Sequence, residues 1–309
     1  MQVFIETIET KESRWIDARF DLSNPKAGQE LYEQEHIEGA VHWDLERDLS
    51  DMAAGTGGRH PLPPREAITD LLQRSGLNKS DHIVIYDGGG EPFAARAWWI
   101  LKYAGFERVY ISRLGFDALK SAGIAVTDEV PSFSRTTVEP SFDDSIHADQ
   151  ETVRRVVSGE EFGVLLDARS AERYAGFSEP IDKVAGRIPG AHNYDWTQAV
   201  ENGRFLNDID LTTVVNDTEP TIVYCGSGVT AAALYAVLAE SGHEQLRLYS
   251  GSFSDWIESE ENIVEFDRPT EQSVDGQAKE ILAKLIQEGH SGEMLMKKYE
   301  YEKSLLEKK

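Results

Sequence analysis

The chain of 309 residues holds one cysteine, Cys225, and small residues follow it: Gly226, Ser227, Gly228, Val229 and Thr230. Upstream, the β-branched and aromatic run Thr221–Tyr224 reads as a buried strand; downstream, Ala231–Ser241 reads as a helix ending at Gly242. A cysteine on a glycine-rich turn between strand and helix faces successive backbone N–H groups and a helix N-terminus. Such a place stabilises sulfur as an anion, and the thiolate is the nucleophile. Lone cysteines are more often inert core side chains, but glycines on both sides of Ser227 favour a reactive one. One cysteine can form neither an internal disulfide nor a thiolate-rich zinc site. The histidines show no metal-ligand pairing, so neither a metal nor a cofactor is expected.

The elements that must position this loop occur twice. Trp15-Ile16-Asp17-Ala18-Arg19 is echoed by Leu165-Leu166-Asp167-Ala168-Arg169, and His36-Ile37-Glu38-Gly39-Ala40 by Arg187-Ile188-Pro189-Gly190-Ala191. Ile83–Asp87 is echoed by Thr221–Cys225, and Gly105 and Leu114-Gly115-Phe116 by Gly242 and Gly251-Ser252-Phe253. Four matches in one order mark an internal duplication. Repeated strand–turn–helix units predict an α/β fold, each half a central parallel sheet with helices on both faces. The Pro-, Ser- and Thr-containing stretch between the halves reads as a linker. The expected domains are residues 1–128 and 146–268, joined by 129–145. Residues 269–309 lie outside the duplication and carry two amphipathic patterns, Gln277–Gln287 and Glu293–Leu306, predicting a helical C-terminal extension.

Composition excludes several classes of partner. A formal charge of -24 argues against nucleic acid and against anionic lipid. No apolar run approaches the roughly 20 residues of a membrane helix, and no secretory pattern is visible at the start, so the cytoplasm is the expected location. Gly88-Gly89-Gly90 lacks the Lys-Ser/Thr of a phosphate loop. A cysteine phosphatase would need arginine six residues after its nucleophile, where this chain has Ala231.

Cys-Gly-Ser-Gly-Val-Thr at 225–230 resembles the active-site loop of the 3-mercaptopyruvate sulfurtransferase branch of the rhodanese family. The Asp-Ala-Arg and Ile-(Glu/Pro)-Gly-Ala pairs and the stretch Glu179–Gly186 resemble that family too, over residues 10 to 266. The resemblance implies two tandem rhodanese-like domains, the first inactive because Asp87 stands where the second has Cys225. It implies a sulfurtransferase that carries sulfur from 3-mercaptopyruvate on a Cys225 persulfide to a thiol or cyanide, with a thioredoxin-like protein among the acceptors. The alternatives are a thiosulfate sulfurtransferase and a non-catalytic binding module. Thiosulfate-preferring relatives carry basic residues after the cysteine, whereas Gly226 and Ser227 are neutral. By the same resemblance Ser227, His60 and Glu46 form a proton relay. Glu46 stands where relatives place aspartate. Arg173, Lys183 and the loop residues Gly226, Gly228, Val229 and Thr230 bind substrate, and Arg96 lies at the interdomain face.

Overall fold

The structure is a computed structural model and describes all residues except 7–12, 208, 210, 212–214, 217–218, 268–280, 283, 286–291 and 307–309. The N-terminal half runs β1 (Phe4–Ile5), β2 (Ser13–Asp17), α1 (Ala27–Gln34), β3 (His36–Ile37), β4 (Val41–His42) and α2 (Arg65–Arg74). It continues with β5 (His82–Tyr86), α3 (Phe93–Tyr103), β6 (Val109–Ser112), α4 (Phe116–Ser121) and β7 (Val126–Thr127). The C-terminal half runs β8 (His147–Ala148), α5 (Gln150–Ser158), β9 (Val164–Asp167), α6 (Ala171–Ala175), β10 (His192–Asn193) and the hairpin β11 (Val200–Glu201) and β12 (Arg204–Phe205). It ends with β13 (Thr221–Tyr224), α7 (Val229–Glu240), β14 (Leu246–Tyr249) and α8 (Ser252–Trp256).

Each half holds one five-stranded sheet, β1-β6-β5-β2-β4 and β8-β14-β13-β9-β10, and every neighbouring pair is parallel. The two orders superpose strand for strand, as the duplication requires. Both central strands, β5 and β13, are buried on both faces, which explains why their sequences do not alternate. Ile83 and Ile85 pack toward α2 and α3, while Val84 and Tyr86 pack toward α4. In the second sheet Val223 faces α7, and Ile222 and Tyr224 join Val153 of α5 and Phe253 and Trp256 of α8.

Helices α3 and α7 are apolar around most of their circumference because each is covered on one side by its own sheet and on the other by its counterpart. Trp98 and Tyr235 meet there with ring centroids 6.2 Å apart. One hydrophobic core therefore spans both halves, and residues 1–265 form a single compact unit. Residues 129–143, within the segment read as a linker, form neither helix nor strand and lie against the first half. Val138 is buried, Thr136 donates its N–H to Gln73 and Asp143 donates its own to Tyr103. Residues 266–309 form a second unit, in which α9 (Gly292–Leu306) matches the second amphipathic pattern; the first, Gln277–Gln287, falls largely outside the described residues.

Candidate active site

Strand β13 ends at Tyr224, and the chain turns through Cys225, Gly226, Ser227 and Gly228 into α7. Gly228 caps the helix at φ 77°, and a Cβ there would lie 2.1 Å from the Ser250 carbonyl oxygen, so only glycine permits this turn. The Gly228 N–H points at Cys225 Sγ, 3.1 Å away. Burial opposes ionisation of Cys225, but hydrogen bonds from the Thr230 hydroxyl and the Ser227, Ala231 and Gly228 amides outweigh it and hold the thiol below its ordinary range. Val229 is a core side chain.

Ser252 supports the cysteine from below, a role sequence reasoning missed. Its Oγ accepts the Cys225 N–H at 3.0 Å and donates to the Tyr249 carbonyl at 2.9 Å. The residue is fully buried with φ at 58°, a left-handed conformation that costs a non-glycine residue free energy and recurs at functional sites. Its signal in the sequence is slight: a polar residue at a position that is Gly115 in the first repeat.

The upper wall comes from the other half. The loop at residues 57–60 docks on α8: Gly57 and Gly58 donate to the Glu258 carboxylate and Arg59 N–H donates to Ser254 Oγ at 3.0 Å. His60 Nδ1 thereby lies 2.9 Å from Ser227 Oγ. Two of the three expected relay members are thus together. Burial, and then the positive charges of Arg96 and Arg59, push His60 down to about 4, so the imidazole is neutral at physiological pH.

Glu46 is not brought to them. No hydrogen bond or ion pair links it to His60, and its neighbours Asp44 and Asp48 are engaged elsewhere, Asp44 capping the turn at Glu46 and Arg47, Asp48 pairing with Arg47 and Arg74. In place of a carboxylate, His60 faces guanidiniums. Arg96, fully buried on α3, reaches the carbonyls of His60 (3.3 Å) and Gly228 (3.4 Å). Burial lowers it to about 10 against the support of the Cys225 thiolate, which leaves it charged.

Arg173 sits at the loop rim, paired with Glu179 (2.8 Å) and Asp182 (3.0 Å). Lys183 is exposed and no ion pair or hydrogen bond ties it to the site. The cation that joins Arg173 is instead Arg59, which also pairs with Asp182. A Cβ on Gly226 would meet Arg59 Nη2 at 2.6 Å and Arg173 Nη2 at 3.3 Å, so both guanidiniums converge beside the cysteine. Nothing along the chain tells that Arg59 crosses to the other half.

A cysteine in a strand-to-helix nest on a duplicated parallel fold defines the class of protein. The chain belongs to the rhodanese-like family: the rhodanese-like domain profile matches residues 1–122 and again 149–259. A probable 3-mercaptopyruvate sulfurtransferase of Pseudomonas aeruginosa is 39% identical over 251 residues, 78% of this chain and 88% of the relative. A putative thiosulfate sulfurtransferase, SseB, of Mycobacterium tuberculosis is 38% identical over 250 residues, 78% and 86% of the two chains. Among solved structures, the 3-mercaptopyruvate sulfurtransferase SseA of Escherichia coli superposes with a TM-score of 0.69 at 29% identity, covering 80% of this chain and 94% of that one. No helix among the described residues is long and apolar enough to cross a membrane.

Proposed function

We propose that this protein transfers sulfur from 3-mercaptopyruvate to a thiol by way of a Cys225 persulfide. The observation that carries the reading is the Ser227–His60 pair at 2.9 Å, next to a thiolate whose surrounding charges nearly balance. Three guanidiniums (Arg59, Arg96, Arg173) stand against two carboxylates (Glu179, Asp182), and the thiolate takes up the remaining positive charge. A monoanionic donor suits that balance better than the dianion thiosulfate.

In the first half-reaction the Cys225 thiolate attacks the donor sulfur. An S–S bond forms, the C–S bond breaks, and its electron pair passes to the methylene carbon as the enolate of pyruvate. The proton released from the donor thiol returns to that carbon, giving pyruvate. Ser227 is the group that passes it: neutral His60 can exchange a hydrogen bond with Oγ but does not hold a second proton near neutrality. The Gly228 N–H and its neighbours stabilise the persulfide anion left behind. In the second half-reaction an acceptor thiolate, from a thioredoxin-like protein or a small thiol, attacks the outer sulfur and frees Cys225. Dependence on reduced thiols fits the cytoplasm.

Steady-state kcat/KM with mercaptopyruvate and thiosulfate side by side tests the reading, with intact mass after donor treatment reporting one added sulfur. A higher kcat/KM for thiosulfate would assign the protein to the other branch.

A further inference from the structure

We infer that Arg96 is a positioning residue for the sulfur step: buried behind the cysteine turn, it holds the carbonyls of Gly228 and His60 and places beside the Cys225 sulfur a positive charge that no carboxylate shares. The inference deepens the function proposed above and rests on it. Helix α3 buries every side chain from Phe93 to Leu101, and Arg96 is the one charged residue in that run. It stands near the start of the helix, the end at which aligned peptide dipoles disfavour a cation. Helix α7, packed against α3, brings no charge before Glu240.

The hydrogen bonds of Arg96 do not account for its burial. Its Nη atoms reach the carbonyls of Gly228 (3.4 Å), Leu49 (3.4 Å) and His60 (3.3 Å), all longer than a strong N–H···O bond, and Nε has no hydrogen-bond partner among the described residues. Neutral carbonyls at that range leave a buried cation poorly compensated. Gly228, whose carbonyl faces Arg96, gives its N–H to Cys225 Sγ, and the ionised sulfur is the charge that supports the guanidinium. The attraction is mutual, so Arg96 supports the ionised sulfur in return. Leu49 and His60 flank a turn that the Asp51 N–H closes on the Pro61 carbonyl, so the same guanidinium seats the His60 loop on the cysteine turn.

The other charges around the sulfur are partnered or absent. Arg59, from the loop at 57–60, and Arg173, from α6, share Asp182, and Arg173 also holds Glu179. On α8, Glu258 takes the Gly57 and Gly58 amides and Asp255 the Tyr249 hydroxyl. His60, and His147 beside Trp99, are both pushed down to about 4, first by burial, so neither is a cation near neutrality.

A residue that only ties carbonyls makes a different forecast. Arg96→Gln keeps N–H donors and loses the charge; Arg96→Met loses both. The measurement is the rate of Cys225 alkylation by iodoacetamide, an uncharged probe, followed against pH in the full chain. We expect the midpoint to rise by about one pH unit in both variants, the effect of removing one nearby opposite charge. The limiting rate at high pH should not fall, because a more basic thiolate is at least as good a nucleophile. Arg96→Lys returns the charge and brings the midpoint part of the way back. A tie alone leaves the midpoint of Arg96→Gln at its wild-type value. An unchanged midpoint in either folded variant, glutamine or methionine, overturns the inference, and each serves if the other fails to fold.

Alkylation does not depend on sulfur transfer. If the wild type turns over neither mercaptopyruvate nor thiosulfate while the midpoint still moves, the proposed function falls and the buried counter-charge stands. Turnover of mercaptopyruvate with an immobile midpoint does the reverse.

Discussion

The loops after β5 and β13 are built on the same frame and differ in what fills and covers them. In each half a tyrosine at the strand end (Tyr86, Tyr224) gives its hydroxyl to a buried aspartate (Asp17, Asp167), which an arginine (Arg19, Arg169) grips at 2.6 Å. That arginine lies over a phenylalanine (Phe116, Phe253), whose own N–H binds the carbonyl of the first loop residue, Asp87 or Cys225, at 3.0 Å. In the first loop Asp87 accepts the N–H groups of Gly89 and Ala94, so the nest is occupied by the chain's own carboxylate. The hairpin β11–β12 seals it: a Cβ on Gly89 would touch the Gly203 carbonyl at 2.9 Å. In the second loop the nest holds the Cys225 sulfur, and its cover brings His60 and Arg59. An anion nest on this frame is common to both halves. Chemistry requires in addition a nucleophile and a cover that carries functional groups.

The largest effect is on the nucleophile. Cys225→Ser should reduce sulfur transfer to background and abolish the one-sulfur gain in intact mass. Adding Asp87→Cys to that variant should restore nothing, because the first nest lacks a serine, a histidine and an entrance. Recovery of turnover in the double variant would mean that the nest alone is sufficient, and the comparison would lose its point. Next is Ser227→Ala, which leaves the thiolate cradle of backbone amides but removes the proton carrier. Turnover of mercaptopyruvate should fall roughly 100-fold, the lower end for proton transfer by a positioned group. Thiosulfate, whose leaving sulfite needs no proton delivered to carbon, should fall much less. Equal losses with the two donors would show Ser227 acting on the thiolate rather than on the leaving carbon.

The frame was readable in the sequence because it is local and repeated. Asp-Ala-Arg, the β-branched strands and the terminal glycines recur at matching spacing, and each is determined by contacts within one half. Cys225, Ser227 and the loop glycines were readable for the same reason. His60 was implied by the resemblance, and the structure brings it to Ser227. Glu46 was implied by its position relative to the family's aspartate, and position along the chain does not carry over in an irregular turn where Asp44 and Asp48 have already taken the nearby donors and cations. Lys183 is exposed on a loop, where no packing aims its side chain. Arg59 and Ser252 were illegible because their roles exist only when β14, α8 and the loop at 57–60 have come together.

Ser252 marks a smaller difference between the repeats, strain present in one and absent in the other. Ser252→Ala keeps the left-handed backbone and leaves the Cys225 N–H without its acceptor, a loss of about 1–3 kcal/mol. Ser252→Gly relieves the backbone and loses the same hydroxyl. Both should lower kcat/KM, with the glycine variant melting higher than the alanine variant in differential scanning fluorimetry. If alanine and glycine melt together, the positive φ of Ser252 stores no strain that bears on the cysteine.

A change in stability alone, with no loss of activity expected, tests whether the first nest is sealed. Burial, and then the nearby Glu91, push Asp87 up to about 7, while the unfolded chain has an ordinary carboxyl near 3.8. Between those values the folded protein keeps a proton that the unfolded chain has released. Raising the pH through this window therefore destabilises the fold, by on the order of 1 kcal/mol per pH unit at most for one group. Asp87→Asn gives up one of the two acceptors for Gly89 and Ala94, a constant cost, but it cannot ionise. The difference in melting temperature between variant and wild type should thus move in favour of asparagine from pH 4 to pH 7 and level off above. A difference that stays flat would mean that Asp87 releases its proton as readily folded as unfolded. The first loop would then be open to water, and occupancy by a carboxylate, rather than closure by the hairpin, would be all that separates it from the second.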